Sequence, residues 1–288
     1  MKSFQNKVAA ITGAGSGMGR ELAIELAKRG CHLALSDVNV AGLAETVKLA
    51  GAYGVKVTQQ KVDVAKHEQV YGWADQVVAD HGKVNLIFNN AGVALGATVD
   101  GMSYDDFEWL MNINFWGVVY GTKAFLPHLK AAGEGHIINT SSVFGLAGIP
   151  SQSAYNAAKF AVRGFTESLR QELDMENCGV SATSVHPGGI KTNIARSARM
   201  DTSIEQLGVD KANATANFEK NFITTANKAA RIIIAGVEGN KRRVLVGPDA
   251  VGLDLMVRLL PSSYQKLVVW ATRKTMVKKA AAAKATTA

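Results

Sequence analysis

Short apolar runs alternate with amphipathic segments along most of this chain. Lys7 to Thr12 is an apolar run that ends in glycines, Glu21 to Arg29 has helical spacing, and His32 to Asp37 is a second apolar run. That order predicts a strand, a helix and a parallel strand. The unit then repeats. Val40 to Tyr53 reads as helix, Lys56 to Val62 as strand, His67 to His81 as helix and Val84 to Asn89 as strand. Tyr104 to Ala132 reads as one or two helices, His136 to Ser141 as strand, Ala154 to Glu176 as a long helix and Val180 to His186 as strand. After a polar stretch from Gly188 to about Lys220, suited to a mobile loop, Asn227 to Glu238 reads as helix and Arg243 to Gly247 as a last strand. Continuous apolar strands alternating with helices predict a parallel sheet covered on both faces. The expected fold is a single doubly wound, Rossmann-type α/β domain with a mostly seven-stranded parallel sheet. Residues 1–249 would form the dinucleotide-binding and catalytic domain, and residues 250–288 a basic helical extension whose tail, Ala280 to Ala288, is expected to be disordered.

Composition narrows the class. The 288 residues are 47% hydrophobic and 19% charged, enough to bury a substantial core, and no linker interrupts them. Cys31 and Cys178 lie far apart, so neither a disulfide framework nor a zinc ribbon is supported. The chain runs into its first strand without the apolar stretch of a signal peptide, and no run is long enough to span a bilayer. A cytoplasmic protein is expected. The net charge of +8 comes almost wholly from the end of the chain. After Asp254 there are seven cations and no acidic residue, which leaves 25 basic against 24 acidic residues before that point. The body is nearly neutral and carries no helix-turn-helix, zinc-finger or aromatic-basic pattern, so nucleic-acid recognition is not expected.

Thr12-Gly-Ala-Gly-Ser-Gly-Met-Gly19 lies between the first strand and the first helix. Glycines there permit a tight turn, let backbone approach a pyrophosphate and aim helix N–H groups at it. The spacing is Gly13-x-x-x-Gly17-x-Gly19, with Met18 where the usual Gly-x-Gly-x-x-Gly fingerprint has its third glycine. Asp37 ends the second strand eighteen residues later, where a carboxylate accepts both hydroxyl protons of an adenosine ribose. That favours NAD, since neither Ser16 nor Val38 offers a cation for the 2'-phosphate of NADP; a capping role for Asp37 is the plain alternative.

These motifs, with Asn89-Asn-Ala-Gly92 after the fourth strand and Tyr155-x-x-x-Lys159, make the chain resemble the short-chain dehydrogenase/reductase family over residues 7 to about 247. Asp63-Val64, Asn114 within Asn-Phe-Trp-Gly117, Ser142 thirteen residues before Tyr155, and Pro187-Gly188 with Thr192 add to the likeness. Each motif is weak alone; their order and spacing together are specific. The resemblance implies hydride transfer between nicotinamide and a carbinol or carbonyl carbon, with Asn114, Ser142, Tyr155 and Lys159 as the catalytic set. It also implies cofactor contacts from Gly13, Ser16, Gly17, Met18 and Gly19 in the loop. Asp37, Asp63, Val64, Asn90, Ala91 and Gly92 would follow on the adenosine side, and Tyr155, Lys159, Pro187, Gly188, Ile190 and Thr192 at the nicotinamide. A homodimer or homotetramer built partly on the helices that carry Asn114 and Tyr155 is implied as well.

The residues support that chemistry on their own terms. Tyr155 and Lys159 stand one helical turn apart, and an ammonium beside a phenol favours the phenolate, so the phenol is expected to be drawn toward neutrality as a general acid/base. Ser142 lies at the carboxyl edge of the sheet, where its hydroxyl can bond a substrate oxygen; Ser141 is its competitor. A buried Asn114 must find partners, and in the family it supports a proton relay. No metal is called for: the histidines show no His-x-x-x-His pair, and His128, His136 and His186 read as surface or strand-end residues. No Gly-x-Ser-x-Gly elbow suggests a hydrolase.

Val93, Leu95, Phe144, Leu146, Met200, Leu207 and Phe218 are candidate pocket walls, which tilts toward a hydrophobic secondary alcohol or ketone as substrate. The extension mixes apolar residues with cations, a pattern open to peripheral contact with anionic lipid, to a cover over the substrate mouth or to subunit packing. The rival readings are an NADP-dependent ketone or 3-oxoacyl reductase of the same family and a non-catalytic dinucleotide-binding sensor or scaffold.

Overall fold

A computed structural model describes residues 1–211, 216 and 222–273. Phe218 and the Ala280 to Ala288 tail lie outside the described residues. Seven parallel strands form the main sheet: β1 (Val8–Thr12), β2 (His32–Asp37), β3 (Val57–Lys61), β4 (Leu86–Asn89), β6 (Gly135–Thr140), β7 (Val180–Pro187) and β11 (Arg243–Val246). Their order is β11-β7-β6-β4-β1-β2-β3. The inner strands β1, β4 and β6 are buried at every position, as continuous apolar runs covered on both faces must be. Edge strands β3 and β11 carry part-exposed positions instead.

Helices α1 (Gly17–Ala27), α2 (Val40–Gly51) and α7 (Ala226–Glu238) cover one face, where Leu22, Leu26, Leu43 and Ile233 join Ile11, Leu33 and Leu35. Helices α3 (His67–His81), α5 (Gly117–Ala131) and α6 (Ser153–Glu176) cover the other. There Trp73 and Phe125 meet edge to face at 5.1 Å. The crossover direction reverses between β1 and β4, whose registers align Ala9 with Leu86 and Ile11 with Phe88. Neighbouring loops diverge at that point, so a crevice opens beyond the carboxyl ends of the strands.

Three departures from the sequence pattern bear on the site. Helix α1 begins at Gly17, four residues before the periodic segment, because its first turn is built from glycines whose low helix propensity hides it. The Tyr104 to Ala132 segment is two helices, α4 (Tyr104–Met111) and α5, joined by a π-helical turn, Asn112–Trp116, that contains Asn114. The polar stretch after Gly188 holds short strands β8 (Ile190–Lys191) and β9 (Arg199–Met200). These pair with β10 (Thr224–Thr225) and β5 (Leu95–Gly96) respectively. Beyond β11, the chain continues into α8 (Pro248–Leu259) and a further helix, α9, over residues 264–273.

Candidate active site

The glycine loop is lashed to the neighbouring strand end. Thr12 Oγ1 accepts the N–H groups of Asn90 and Ala91, both at 3.0 Å, and Asn90 Nδ2 donates to the carbonyls of Thr12 and Gly13. Gly13 and Gly17 hold φ of 65° and 52°, the left-handed region that side chains disfavour. Ser16 at the start of α1 makes no side-chain cap, and the first turn carries no acidic residue. Its N–H groups therefore present uncompensated positive charge beside Gly19, which suits a phosphate. By contrast α2 is capped by Asn39, whose side chain accepts from the Gly42 N–H.

Asp37 stands at the tip of β2, half-exposed. Its carboxylate accepts the N–H of Gly15 and of Asn39, each at 2.8 Å, so it braces the loop as well as facing the crevice. The nearest cation on α1, Arg20, is committed to Glu45 at 2.7 Å, to Thr46 and to the carbonyl of Gly15. Asp63 closes a turn by accepting from Ala65, and the buried Val64 packs against the start of α5 near Gly117.

A cavity of about 430 Å³ opens at the carboxyl ends of β4, β6 and β7. It brings together Ser142, Tyr155 and Lys159 with Met18, Gly92, Pro187, Gly188, Ile190 and Thr192. Ser142 stands beside Tyr155 in the cavity, whereas Ser141 is spent on the Lys159 carbonyl at 2.7 Å. Asn114 is fully buried behind Gly92 and does not line the cavity. Its amide holds both backbone groups of Val93, accepting at 2.8 Å and donating at 2.9 Å. A side chain on Gly92 would meet Asn114 Oδ1 at 3.2 Å and Lys159 Nζ at 3.7 Å, which places the two polar groups around one bare backbone position. Thr192 lies over the first turn of α1, its methyl 3.0 Å from where a side chain on Gly17 would begin. The glycine loop and the Tyr155 end of the crevice are thereby joined.

The electrostatics differ from the expectation for Tyr155. Lys159 Nζ donates to the Thr140 carbonyl at 3.0 Å and sits 5.5 Å from the centre of the Tyr155 ring, without bonding its hydroxyl. Burial pushes the phenol up to about 12, with the neighbouring Ser142 pulling the other way, and burial lowers Lys159 to about 8. Desolvation thus dominates at the phenol and favours its protonated form.

Two histidines are deeper than their sequence positions suggest. His186 is buried and neutral, held at about 4; its Nδ1 lies 3.0 Å from the Ser142 carbonyl, which only accepts, so Nδ1 carries the proton. His136 is buried against Thr183 and held at about 3. Among the described residues no three His, Cys, Asp or Glu side chains cluster as a metal site.

The walls also depart from the sequence reading. Phe144 lines the cavity, its ring 6.1 Å from that of Tyr155. Leu95 and Met200 do not, because pairing of β5 with β9 turns them toward a separate, smaller space, and Leu146 is core. Val93 and Leu207 do not line it either. The apolar wall is supplied by Val143, Ile149, Ile194, Phe222 and Leu253. Asp249 was invisible to motif reasoning. It lies in the first turn of α8, lines the cavity and accepts the Gly189 N–H at 2.6 Å, while its other oxygen is buried without a partner. A Pro-Asp pair just past a strand is an ordinary helix start in sequence, so only the approach of α8 to the Pro187 to Gly189 turn reveals it.

Comparison with known proteins places these features in a family. A family model described as short chain dehydrogenase matches residues 7–203. The chain is 50% identical over 269 residues to a Mycobacterium tuberculosis (strain CDC 1551 / Oshkosh) protein named as oxidoreductase SadH, covering 93% of this chain and 96% of that one. Among solved structures, a Burkholderia phymatum short chain dehydrogenase/reductase in complex with NAD is 32% identical, with a TM-score of 0.83 over 93% of this chain and 97% of its own. An alcohol dehydrogenase from Thermococcus sibiricus, complexed with 5-hydroxy-NADP, is 27% identical with a TM-score of 0.66 over 83% of this chain and 93% of its own.

Proposed function

The chain belongs to the short-chain dehydrogenase/reductase family of oxidoreductases, and from that premise we propose that it moves a hydride between NAD and a hydrophobic secondary alcohol or ketone. The observation that carries this reading is the cavity in which Tyr155 and Ser142 face an apolar wall beside Lys159 and Gly92. Bound nicotinamide supplies the hydride acceptor or donor. Gly13, Ser16, Gly17, Met18 and Gly19 hold the phosphates at the α1 N-terminus, and Asp37, Asn90 and Ala91 secure the adenosine side with Asp63 and Val64. Pro187, Gly188, Ile190 and Thr192 orient the nicotinamide end.

Ser142 bonds the substrate oxygen, and Tyr155 gives a proton to that oxygen in reduction or takes it in oxidation. Lys159 adds positive charge next to the phenol, and Asn114 positions the Val93 backbone behind Gly92. Preference for NAD is supported by the Asp37 carboxylate and by Arg20 being engaged elsewhere. The Burkholderia phymatum relative carries NAD, whereas the Thermococcus sibiricus one carries an NADP derivative.

The test is absorbance of reduced nicotinamide with a panel of hydrophobic secondary alcohols, run in parallel with NAD and NADP. NAD reduction that Tyr155→Phe abolishes, with NAD affinity within a few-fold, is the expected result. Tight NAD binding without turnover across the panel would favour the sensor reading instead.

A further inference from the structure

Exposed large hydrophobic side chains concentrate at the end of the described chain. On α8, Ala250 and Asp254 face the body, while Val251, Leu255 and Leu259, at i, i+4 and i+8, form a row that stays exposed. Helix α9 repeats this. Tyr264 is buried and its hydroxyl accepts the Gly148 N–H at 3.0 Å, whereas Leu267, Val269 and Trp270 are 46%, 42% and 61% exposed. With Leu260 between the helices, seven of the 17 large hydrophobic side chains exposed among the described residues fall within positions 251–270. Scattered exposed apolar residues need no explanation, but a concentration of this kind does.

Beyond Asp254 the same stretch carries only positive charge. Arg258, Lys266 and Arg273 share the exposed surface with these apolar rows, and the sequence goes on through Lys274, Lys278, Lys279 and Lys284 without an acidic residue. Asp254, the last carboxylate, is already neutralised by Arg243 at 2.8 Å and Arg258 at 2.9 Å. A second copy of this chain would set these cations against themselves across a two-fold axis, so charge argues against an isologous contact here. A surface bearing phosphates complements it. No helix among the described residues is long and apolar enough to cross a membrane, so the contact would be peripheral.

The patch also adjoins the site. A cavity of about 390 Å³ lies under α9, lined by Val268, Val269, Val99 and Pro150, and Ile149 is a wall of both this cavity and the catalytic one. We propose that residues 251–273 dock the protein on an anionic lipid bilayer, with the apolar rows of α8 and α9 at the headgroup boundary and the cations on lipid phosphates. An apolar substrate dissolved in the bilayer then reaches the Ile149 wall without passing through bulk water. That delivery rests on the oxidoreductase reading; the docking does not.

Flotation of the full chain with phosphatidylcholine vesicles, and with phosphatidylcholine/phosphatidylserine vesicles, reads the docking without turnover. Binding should be at least about tenfold stronger to the mixed vesicles and should weaken with salt, since each cation near an anionic surface contributes roughly fivefold. Leu255→Ser/Leu259→Ser should lower it about tenfold and Lys266→Glu/Arg273→Glu at least about 25-fold, both while leaving oxidation of a water-soluble secondary alcohol within twofold. Absence of flotation, or equal flotation with both vesicle types, overturns the proposal. So does light scattering in which the leucine variant halves the particle mass while vesicle binding persists, since the apolar row would then be covered by a second copy. Flotation without turnover on any alcohol would leave the docking standing and remove the oxidoreductase reading alone.

Discussion

The two ends of the crevice are built on different physics. At the reacting end, polar groups are buried and each is fixed by a partner that is itself fixed: Lys159 on the Thr140 carbonyl, Asn114 on Val93, and Ser142 on a backbone held by His186. At the adenosine end, Asp37 sits half-exposed on a strand tip and touches only loop backbone. Burial makes the first end intolerant, because an unsatisfied polar group there has no water to turn to. The second end can change identity at small structural cost. Chemistry is thus expected to reside where the fold is rigid, and cofactor choice where it is open.

The sharpest way to break this contrast is Tyr155→Phe. It should lower kcat by about 10³-fold or more while NAD affinity stays within a few-fold, as measured by steady-state kinetics and cofactor titration. Ser142→Ala should cost about 10²-fold in kcat, with substrate KM affected less.

Cofactor choice comes next. Asp37→Ala should relax the preference for NAD over NADP by about tenfold or more in kcat/KM and leave kcat with NAD nearly unchanged. A large kcat loss there would mean that the two ends are not separable.

Asp249 lies between these cases, since it acts on the nicotinamide side only through the Gly189 N–H. Asp249→Ala should raise KM for the cofactor roughly tenfold with a smaller change in kcat. Asp249→Asn, which keeps an acceptor, should restore most of it. Equal effects of both variants on Tm and none on KM would make Asp249 a purely structural residue.

The smallest expected effects are in pH. With the phenol raised to about 12 and Lys159 lowered to about 8, oxidation, which needs a base, should quicken from pH 7 upward, and the rise should slacken above about pH 8 as Lys159 loses the charge that favours the phenolate. Reduction, which uses the phenol as acid, should not rise over that range. His136 and His186 bind protons less readily folded than unfolded, so their stabilising contribution is complete above about pH 6.5 and is lost as pH falls toward about 4 and 3. Tm followed from pH 7 to pH 4 should therefore decline, and His136→Asn should flatten part of that decline.

Much of the sheet was legible because covered parallel strands read as unbroken apolar runs, and β1, β2, β4 and β6 are such runs. The motifs that carry the candidate site were legible for a related reason: a tight phosphate turn demands glycines, and a shared helix face demands four-residue spacing, so both leave marks in local order. The start of α1 was not legible, since its glycines disguise a helical turn. Nor was the π turn around Asn114, which local composition does not encode.

Residue type and spacing by themselves therefore determined the architecture, the position of the glycine loop and the candidate catalytic side chains. Tertiary structure decided which serine faces Tyr155, since Ser141 and Ser142 differ only in which side of the β6 end they leave from. It also decided that the phenol is held up rather than down, that Asp249 reaches the Gly189 turn, and that Leu253 rather than Leu95 walls the cavity. The physical reason is common to all four. Desolvation, approach of distant segments and the direction a side chain leaves the backbone depend on what packs against a residue, and short-range sequence pattern carries no record of it.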